Sequence, residues 1–257
     1  MSKKAEKYRA SKPSSSETKT FLDNRRLHLL IIAISSFLLY ANTFGNDYAQ
    51  DDAIVITENM YTQEGFSGIS GLLTKDTFFG FFKVEGKESL VAGGRYRPLS
   101  LITFAIEQEI FGDSPAIRHI INAILYSLLC MMVYMTLVKI MIHTRVKKSL
   151  LWFAFLAAMI FTLHPIHTEA VANIKGRDEI MAFLLGLSAI YLLLSKRLNP
   201  TPGWIIAALL FFLALMSKEN AITLIPVGFL IYWYLRKESL VNSVKPTMAL
   251  LAGTIVF

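Results

Sequence analysis

The chain has 257 residues, 54% of them hydrophobic, and its mean hydropathy is +0.47. Several apolar runs approach or exceed the length that crosses a bilayer, which excludes an ordinary soluble domain and predicts a polytopic membrane protein. The net charge of +7 would suit nucleic acid, but the basic residues are sorted by membrane side, so no nucleic-acid partner is expected. The single cysteine, Cys130, allows no disulfide within the chain.

The chain begins with a polar segment that holds eight Lys or Arg. Residues 1–26 are predicted to form a disordered cytoplasmic tail. The apolar run 27–45 is predicted to be the first membrane helix, an uncleaved signal anchor, because no clear small-x-small cleavage site follows it. Residues 27–257 are expected to form one all-α transmembrane domain.

A long outward loop, residues 46–114, follows the first helix. Its segments 66–82 and 98–111 carry apolar residues at helical spacing but are too short or too polar to span, so both are predicted to lie as helices in the membrane interface. Glu107 and Glu109 argue against spanning by the second segment.

Five further spans are expected, for about six to seven in all. They cover residues 115–142, 150–163, 180–195, 203–216 and 221–235. The chain stops inside another apolar run, so it is expected to be a fragment of a longer protein.

The distribution of charge gives an orientation. The tail and the links 139–148, 196–197 and 236–245 hold 17 of the 26 Lys and Arg but only 4 of the 19 acids. The positive-inside rule therefore places them in the cytoplasm and the long loop on the outer face. A bacterial inner membrane is favoured over the ER membrane, because the loops are short and the outward segments hold no N-x-[ST].

Spans three to six are short, and their polar links face outward. At about 14–16 residues each, these helices reach roughly 21–24 Å, less than the ~30 Å hydrocarbon core. Polar backbone at such depth needs protein or water around it. The sequence therefore predicts a recessed, outward-opening polar cavity roofed by the long loop.

The loop supplies the candidate catalytic acids, Asp51 and Asp52. Neighbouring carboxylates repel one another, so one of them can serve as a general base; the alternative is two ordinary acids in an acidic loop. Arg95 and Arg97 lie on the same outward side and suit phosphate contacts, or they anchor an interfacial helix.

Two outward clusters supply candidate ligands for a phosphate. His164, His167 and Glu169 make only a weak signal for a divalent metal, which is an open alternative without support, and no other cofactor is assigned. A phosphate contact or hydrogen bonding at a helix end fits the two histidines equally well. The cations that precede the fourth span would strengthen an anion site at a helix N-terminus. The alternative for the Lys218–Glu219 link is a self-neutralising pair. The remaining candidates are Lys175, Arg177, Asp178, Lys218 and Glu219.

The second span carries a polar face. His119, Asn122 and Tyr126 lie at i, i+3 and i+7, and we expect them to form hydrogen bonds between helices.

Five stretches occur in order and together resemble one family. They are Asp51-Asp52, YRPLSLITFAIE, the H-x-x-N face of the second span, HPIHTEAVANIKGRDE and LALMSKENAIT. Over roughly residues 27–235 the chain resembles the membrane half of the transmembrane and tetratricopeptide-repeat O-mannosyltransferases. The tetratricopeptide array of that family has no counterpart in this sequence.

The resemblance implies a GT-C fold with a catalytic acid in the first outward loop, which falls on Asp51, with Asp52 as its neighbour. It also implies a polyprenyl- or dolichyl-phosphate sugar donor within the membrane lipid, and transfer of the sugar, typically mannose, to a protein Ser or Thr hydroxyl. Open alternatives are a GT-C transferase with a lipid or glycan acceptor and a non-catalytic membrane scaffold. A transporter would show repeated broken helices, which the sequence lacks.

Overall fold

The computed structural model describes residues 24–84, 95–144, 146–147, 150, 152–195, 200–235 and 237–256. Every regular element within these ranges is helical, and they contain no strand. The all-α prediction is therefore confirmed for this part of the chain. The predicted tail, residues 1–26, lies almost wholly outside the described residues.

Helices occupy most of the segments that the sequence predicts to span or to lie in the interface. Their bounds are α1 Arg25–Leu39, α5 Pro98–Phe111, α6 Pro115–His143, α7 Trp152–Leu163, α9 Arg177–Leu193, α10 Pro200–Ser217, α11 Leu224–Leu230 and α12 Leu240–Val256. The short helices are α2 Met60–Gln63, α3 Ile69–Thr74, α4 Phe79–Phe82 and α8 Thr168–Ala172.

Helix length and composition identify fewer spans than the sequence pattern does. In the described part of the chain, the helical segments Arg25–Gly45 and Pro115–His143 are long and apolar enough to cross a membrane. A third span results if Trp152–Leu163 and Pro165–Ala172, which meet at a bend of 48°, count as one. The segments Pro202–Ser217 and Glu219–Leu235 are apolar but shorter.

The two predicted interfacial helices have different outcomes. The segment 98–111 forms one helix, α5, with Pro98 at its first turn and Gly112 directly after it. The prediction of one helix over 66–82 is wrong, because the chain there forms the 3₁₀ turn Gly65–Gly68, then α3, then α4. Helix α3 ends before Lys75, whose backbone is extended. The helical spacing of apolar residues therefore continues past the point where the helix itself ends.

The helices pack into one bundle with three apolar clusters. One cluster joins α1, α6 and α7, and the second joins α9, α10 and α12. The third lies in the first loop and includes Ile56, Leu101 and Phe104. It also contains Ile174, from the link between α8 and α9, so the loop packs directly onto that link.

The predicted polar seam on α6 is confirmed at two of its three positions. The Asn122 side chain donates to the carbonyl oxygen of Ile174 over 3.1 Å. The Tyr126 hydroxyl donates to the carbonyl oxygen of Thr162 over 2.8 Å. Both hydrogen bonds are buried, and they hold the α7–α9 connection against α6.

Candidate functional site

The link between α7 and α9, residues 164–176, is built from short turns. Pro165 follows the end of α7, and the His164 ring nitrogen Nδ1 accepts a hydrogen bond from the Ile166 amide over 3.2 Å. The Asn173 side chain accepts from the Lys175 amide over 3.2 Å and caps the 3₁₀ turn Ile174–Gly176. A Cβ atom at Gly176 would lie 2.4 Å from the carbonyl oxygen of Ala170, so only glycine fits there.

Asp52 attaches the first loop to this link. Its side chain is buried, with one oxygen accepting from the Ala49 amide over 2.9 Å and the other from the Lys175 amide over 2.8 Å. Burial raises the pKa of the Asp52 carboxyl above its ordinary value, and the two hydrogen bonds only partly offset that effect. Asp52 is therefore held in place by backbone groups rather than offered to a ligand.

Asp51 lies in a different environment from its neighbour. Its side chain is 51% exposed, and its Oδ2 atom lies 3.4 Å from Nζ of Lys175. Lys175 thus contacts both acids, the buried one through its amide and the exposed one through its ammonium group. The exposed carboxylate is the one that can reach a substrate.

Arg97 joins the loop to the two other polar clusters. Its Nη1 donates to Asp178 Oδ2 over 2.8 Å, and its Nε and Nη2 donate to the two oxygens of Glu219 over 2.8 and 2.5 Å. Burial disfavours the charge on Arg97, but these acids more than offset burial, so its pKa is raised. The Lys218 ammonium completes the network by contacting Asp178 at 3.9 Å and Glu179.

Arg177 is fully buried and begins helix α9, directly after the α7–α9 link. Its Nε donates to Asn122 Oδ1 over 2.7 Å and its Nη1 donates to Thr103 and to Glu107. Its guanidinium group also lies 4.3 Å from the centre of the Phe104 ring. These partners belong to α5 and α6, so Arg177 anchors the start of α9 within the bundle.

Among the described residues, a cavity of ≈ 480 Å³ opens beside the link. Part of its wall is apolar, with side chains such as Phe161, Phe183 and Leu224, and Ile166 at its edge. Ionisable side chains line the remainder: His167, Glu169, Lys175, Asp178, Glu179 and Lys218. A cavity lined by both apolar and ionisable side chains suits an amphipathic ligand.

A second, much smaller cavity of ≈ 30 Å³ lies on the loop side of Lys175. Asp51, Arg95 and Arg97 line it together with apolar side chains of the loop. Lys175 and Asp178 line both cavities. Asp51, which pairs with Lys175, lines only the small cavity.

The two histidines lie near each other but differ in exposure. The His164 ring is exposed and its centre lies 6.3 Å from that of His167, which packs on Phe161 at 4.3 Å between ring centres. No group of three or more His, Cys, Asp or Glu within the described ranges is placed to hold a metal ion.

The candidates from the sequence therefore fall into three sets. The candidates that line the large cavity are His167, Glu169, Lys175, Asp178 and Lys218. Those that line the small cavity are Asp51, Arg95 and Arg97, again with Lys175 and Asp178. The candidates that line neither cavity are Asp52, His164, Arg177 and Glu219.

Sequence reasoning missed two acids. Glu179 lines the large cavity and pairs with Lys218, although it stands in the same GRDE stretch as Asp178. Glu107 is buried against Arg177. The signal for Glu107 was an acid on the apolar helix α5, which predicts a buried partner of opposite charge.

The chain is similar to curated proteins from animals. It is 33% identical to protein O-mannosyl-transferase TMTC1 of Homo sapiens over 62% of this chain, and 29% identical to protein O-mannosyl-transferase F38B6.6 of Caenorhabditis elegans over 88%. It is also 29% identical to TMTC2 of Mus musculus over 77%. These relatives are all protein O-mannosyl-transferases. The family resemblance predicted from the five stretches is confirmed.

The chain spans only part of these O-mannosyl-transferases: 17% of the human protein, 31% of the worm protein and 23% of the mouse protein. No protein-family model matches the chain. No solved structure matches it either.

Proposed function

We propose that this chain is the membrane part of a GT-C-type glycosyltransferase. It moves a sugar, mannose, from a polyprenyl- or dolichyl-phosphate donor to Ser or Thr side chains of proteins. The reaction takes place on the outer face of the membrane, which is periplasmic in a bacterial inner membrane and lumenal in the ER.

One observation carries this proposal. An exposed carboxylate, Asp51, lines the small cavity and lies 3.4 Å from the ammonium group of Lys175, which lines both the small cavity and the large amphipathic one. A general base and a cation for a phosphate, side by side, are the two groups that sugar transfer from a lipid phosphate requires. The O-mannosyl-transferase relatives support the choice of mannose and of a protein acceptor.

The large cavity suits the donor. Its apolar wall accommodates the first isoprene units of the lipid, and the lysines at its polar wall balance the phosphate charge. Lys175 and Lys218 are the cations that line it, whereas Arg97 lines only the small cavity and Arg177 lines neither. We therefore assign the phosphate to Lys175 and Lys218, with Arg97 and Arg177 in positioning roles.

The reaction is a single displacement. The acceptor hydroxyl oxygen bonds to the anomeric carbon while the bond from that carbon to the phosphate oxygen breaks. The Asp51 carboxylate takes the hydroxyl proton, and the electron pair of the broken bond leaves with the lipid phosphate. Lys175 stabilises the charge that develops on that phosphate. Asp52 fixes the loop through the Lys175 amide, so that Asp51 stays beside the Lys175 ammonium group.

The membrane arrangement follows the predicted topology. In this arrangement α9, α10 and α11 complete a set of about six to seven spans, and their outward ends lie below the outer membrane surface. A lipid-linked donor can then enter sideways from the bilayer with its phosphate at the depth of Lys175 and Lys218.

The test compares Asp51→Asn with Asp47→Asn, which alters an exposed acid of the same loop that lines neither cavity. Membranes holding the full-length protein are supplied with labelled polyprenyl-phosphate mannose, and the label in proteins is counted. Loss of a general base lowers transfer about 10²–10⁴-fold, so Asp51→Asn abolishes detectable transfer while Asp47→Asn retains it.

Equal transfer by Asp51→Asn and wild type, at equal protein levels, would remove Asp51 from the chemistry. No transfer by the wild type would contradict the mannose donor and direct attention to another lipid-linked sugar or to a scaffold.

A further inference from the structure

Beside the two lysines assigned to the phosphate, the large cavity is lined by an imidazole, a carboxylate and an aromatic ring, those of His167, Glu169 and Phe161. We propose that these three side chains form the subsite for the sugar ring of the donor, where His167 and Glu169 accept hydrogen bonds from sugar hydroxyl groups. This inference rests on the proposed function and extends it from the phosphate to the sugar.

The large cavity has room for a sugar next to the phosphate. Its volume of ≈ 480 Å³ lies within the roughly 300–1,000 Å³ that is usual for small-molecule sites. His167 and Glu169 lie on the first half of the α7–α9 link, in the turn Pro165–His167 and in α8, whereas Lys175 lies on its second half. The polar lining is therefore spread along the link rather than gathered at the lysines.

The His167 ring packs among aromatic side chains. Its centre lies 4.3 Å from that of Phe161 and 5.7 Å from that of Tyr126, and the centre of the Phe183 ring lies 6.1 Å from that of Phe161. All four rings line the cavity. Sites that bind small molecules combine such aromatic surfaces with a few polar groups that fix the orientation of the ligand. A sugar ring suits this combination, because its C–H face is apolar and its edge carries hydroxyl groups.

The surroundings of His167 favour its role as a hydrogen-bond acceptor. One nitrogen of its ring interacts with the backbone carbonyl oxygen of Phe161 and therefore acts as the donor. In a neutral imidazole the other nitrogen is then an acceptor. The ring is half-buried and lines the cavity, so a ligand hydroxyl can reach that acceptor.

Glu169 supplies a second acceptor. Within the described ranges, the lysines of the lining make their ion pairs with Asp51, Asp178 and Glu179. The exposed carboxylate of Glu169 takes no part in these pairs, and an ionised carboxylate only accepts hydrogen bonds. An uncharged sugar with several hydroxyl groups matches two acceptors on a wall that already carries carboxylates.

His164 offers a matched control for His167. It belongs to the same link, its ring centre lies 6.3 Å from that of His167, and it is exposed and lines neither cavity. The His164 ring accepts from the Ile166 amide. His164→Asn removes the imidazole and keeps a side-chain acceptor for that amide.

Binding separates the sugar subsite from the phosphate site. Purified full-length protein in detergent is titrated with polyprenyl-phosphate mannose and with polyprenyl phosphate, and thermal stabilisation gives the affinity for each lipid. His167→Phe keeps the aromatic packing and removes the acceptor. It is expected to weaken binding of the mannose-bearing lipid about tenfold or more and to change binding of polyprenyl phosphate by less than about twofold. His164→Asn is expected to retain both affinities.

A series of donors, each lacking one hydroxyl group of mannose, tests the hydrogen bonds in the reaction. With full-length protein in membranes, wild type is expected to prefer mannose over at least one of these deoxy donors by about a hundredfold or more. In His167→Phe or Glu169→Gln that preference is expected to fall at least about tenfold, because the partner of the missing hydroxyl is already lost. The preference is a ratio within one protein, so it does not depend on the amount of folded protein.

Three results would overturn the inference. They are parallel weakening of both lipids in His167→Phe, deoxy-donor preferences that are unchanged in both variants, or a wild type that binds polyprenyl phosphate but does not discriminate among the deoxy donors. A wild type that binds neither lipid and transfers no mannose would instead contradict the proposed function, which separates the two failures.

Discussion

At the scale of single residues, neighbours in sequence have opposite roles. Asp51 is half exposed and faces Lys175, whereas Asp52 is 1% exposed and bound by two backbone amides. The candidate arginines resemble Asp52, since Arg97 is buried where it bridges three segments and Arg177 is anchored inside the bundle. Charge alone marks all four residues as candidates, but only burial separates those that reach a ligand from those that hold the site together.

The Arg97–Glu219 ion pair predicts a dependence of stability on pH. Its hydrogen bond with Arg97 lowers the pKa of Glu219 below the ordinary value of 4.5. A carboxyl whose folded pKa is lowered stabilises the fold above its unfolded pKa, and this contribution is lost as the pH falls through the folded value. Wild type is therefore expected to exceed Glu219→Gln in melting temperature at pH 7, with the difference vanishing well below pH 4.5.

Thermal unfolding in detergent, followed by tryptophan fluorescence, measures this difference. Glu58→Gln serves as the control, because Glu58 is an exposed acid of the first loop, which also holds Arg97. A difference between wild type and Glu219→Gln that stays constant from pH 7 to below 4 would contradict the ion pair as its source.

At the scale of elements, the sequence predicts helices well where a terminator is present. Helix α5 has the predicted bounds 98–111, and in the structure Pro98 begins it and Gly112 follows it. The segment 66–82 was mispredicted because its apolar spacing suits a helix, whereas the packing of Gly68 and Gly71 against Tyr61 and the extended backbone at Lys75 divide it. Such close backbone packing is a tertiary effect that periodicity does not contain.

The link between α7 and α9 supplies a prediction at the same scale. Gly176→Ala would place a methyl group 2.4 Å from the Ala170 carbonyl oxygen, so the link must shift. Overpacking of this kind costs about 1–3 kcal/mol, and it displaces the neighbouring Lys175. We expect a lower melting temperature together with reduced mannose transfer.

Gly45→Ala is the control for this change, since no atom lies within 4 Å of a Cβ built at Gly45. A Gly176→Ala protein with the melting temperature and transfer of Gly45→Ala would show that the link tolerates the added group.

At the scale of the whole molecule, the charge distribution predicts which ends of the bundle face outward. The loop, the α7–α9 link and the α10–α11 turn gather at one end, where Arg97, Asp178 and Glu219 meet. The large cavity also lies beside the α7–α9 link, but none of its lining residues comes from the described part of the loop 46–114, so the predicted roof is not found there. The loop lines only the small cavity, and the sequence does not show this because it depends on how the loop packs beside Lys175.

Orientation can be tested with single cysteines and a membrane-impermeant maleimide. The native Cys130 is buried and gives little background. The three positions Ser67, Asn220 and Lys147 are exposed. The proposed orientation places Ser67 and Asn220 on the outer side, so Ser67→Cys and Asn220→Cys are expected to react in sealed, right-side-out vesicles. It places Lys147 on the cytoplasmic side, so Lys147→Cys is expected to react only after permeabilisation. Reaction of Lys147→Cys in sealed vesicles would reverse the proposed orientation.

The double use of Lys175 has an evolutionary consequence. Asp52 accepts a hydrogen bond from the main-chain amide of Lys175, a group that every residue type except proline provides. Asp51 instead pairs with the side chain of Lys175. Attachment of the loop therefore does not depend on which amino acid occupies position 175. The chemistry of the Asp51–Lys175 pair does depend on it. Replacement of the Lys175 side chain during evolution could therefore abolish or alter the reaction and leave the fold unchanged. We expect some relatives to share the fold and lack the activity.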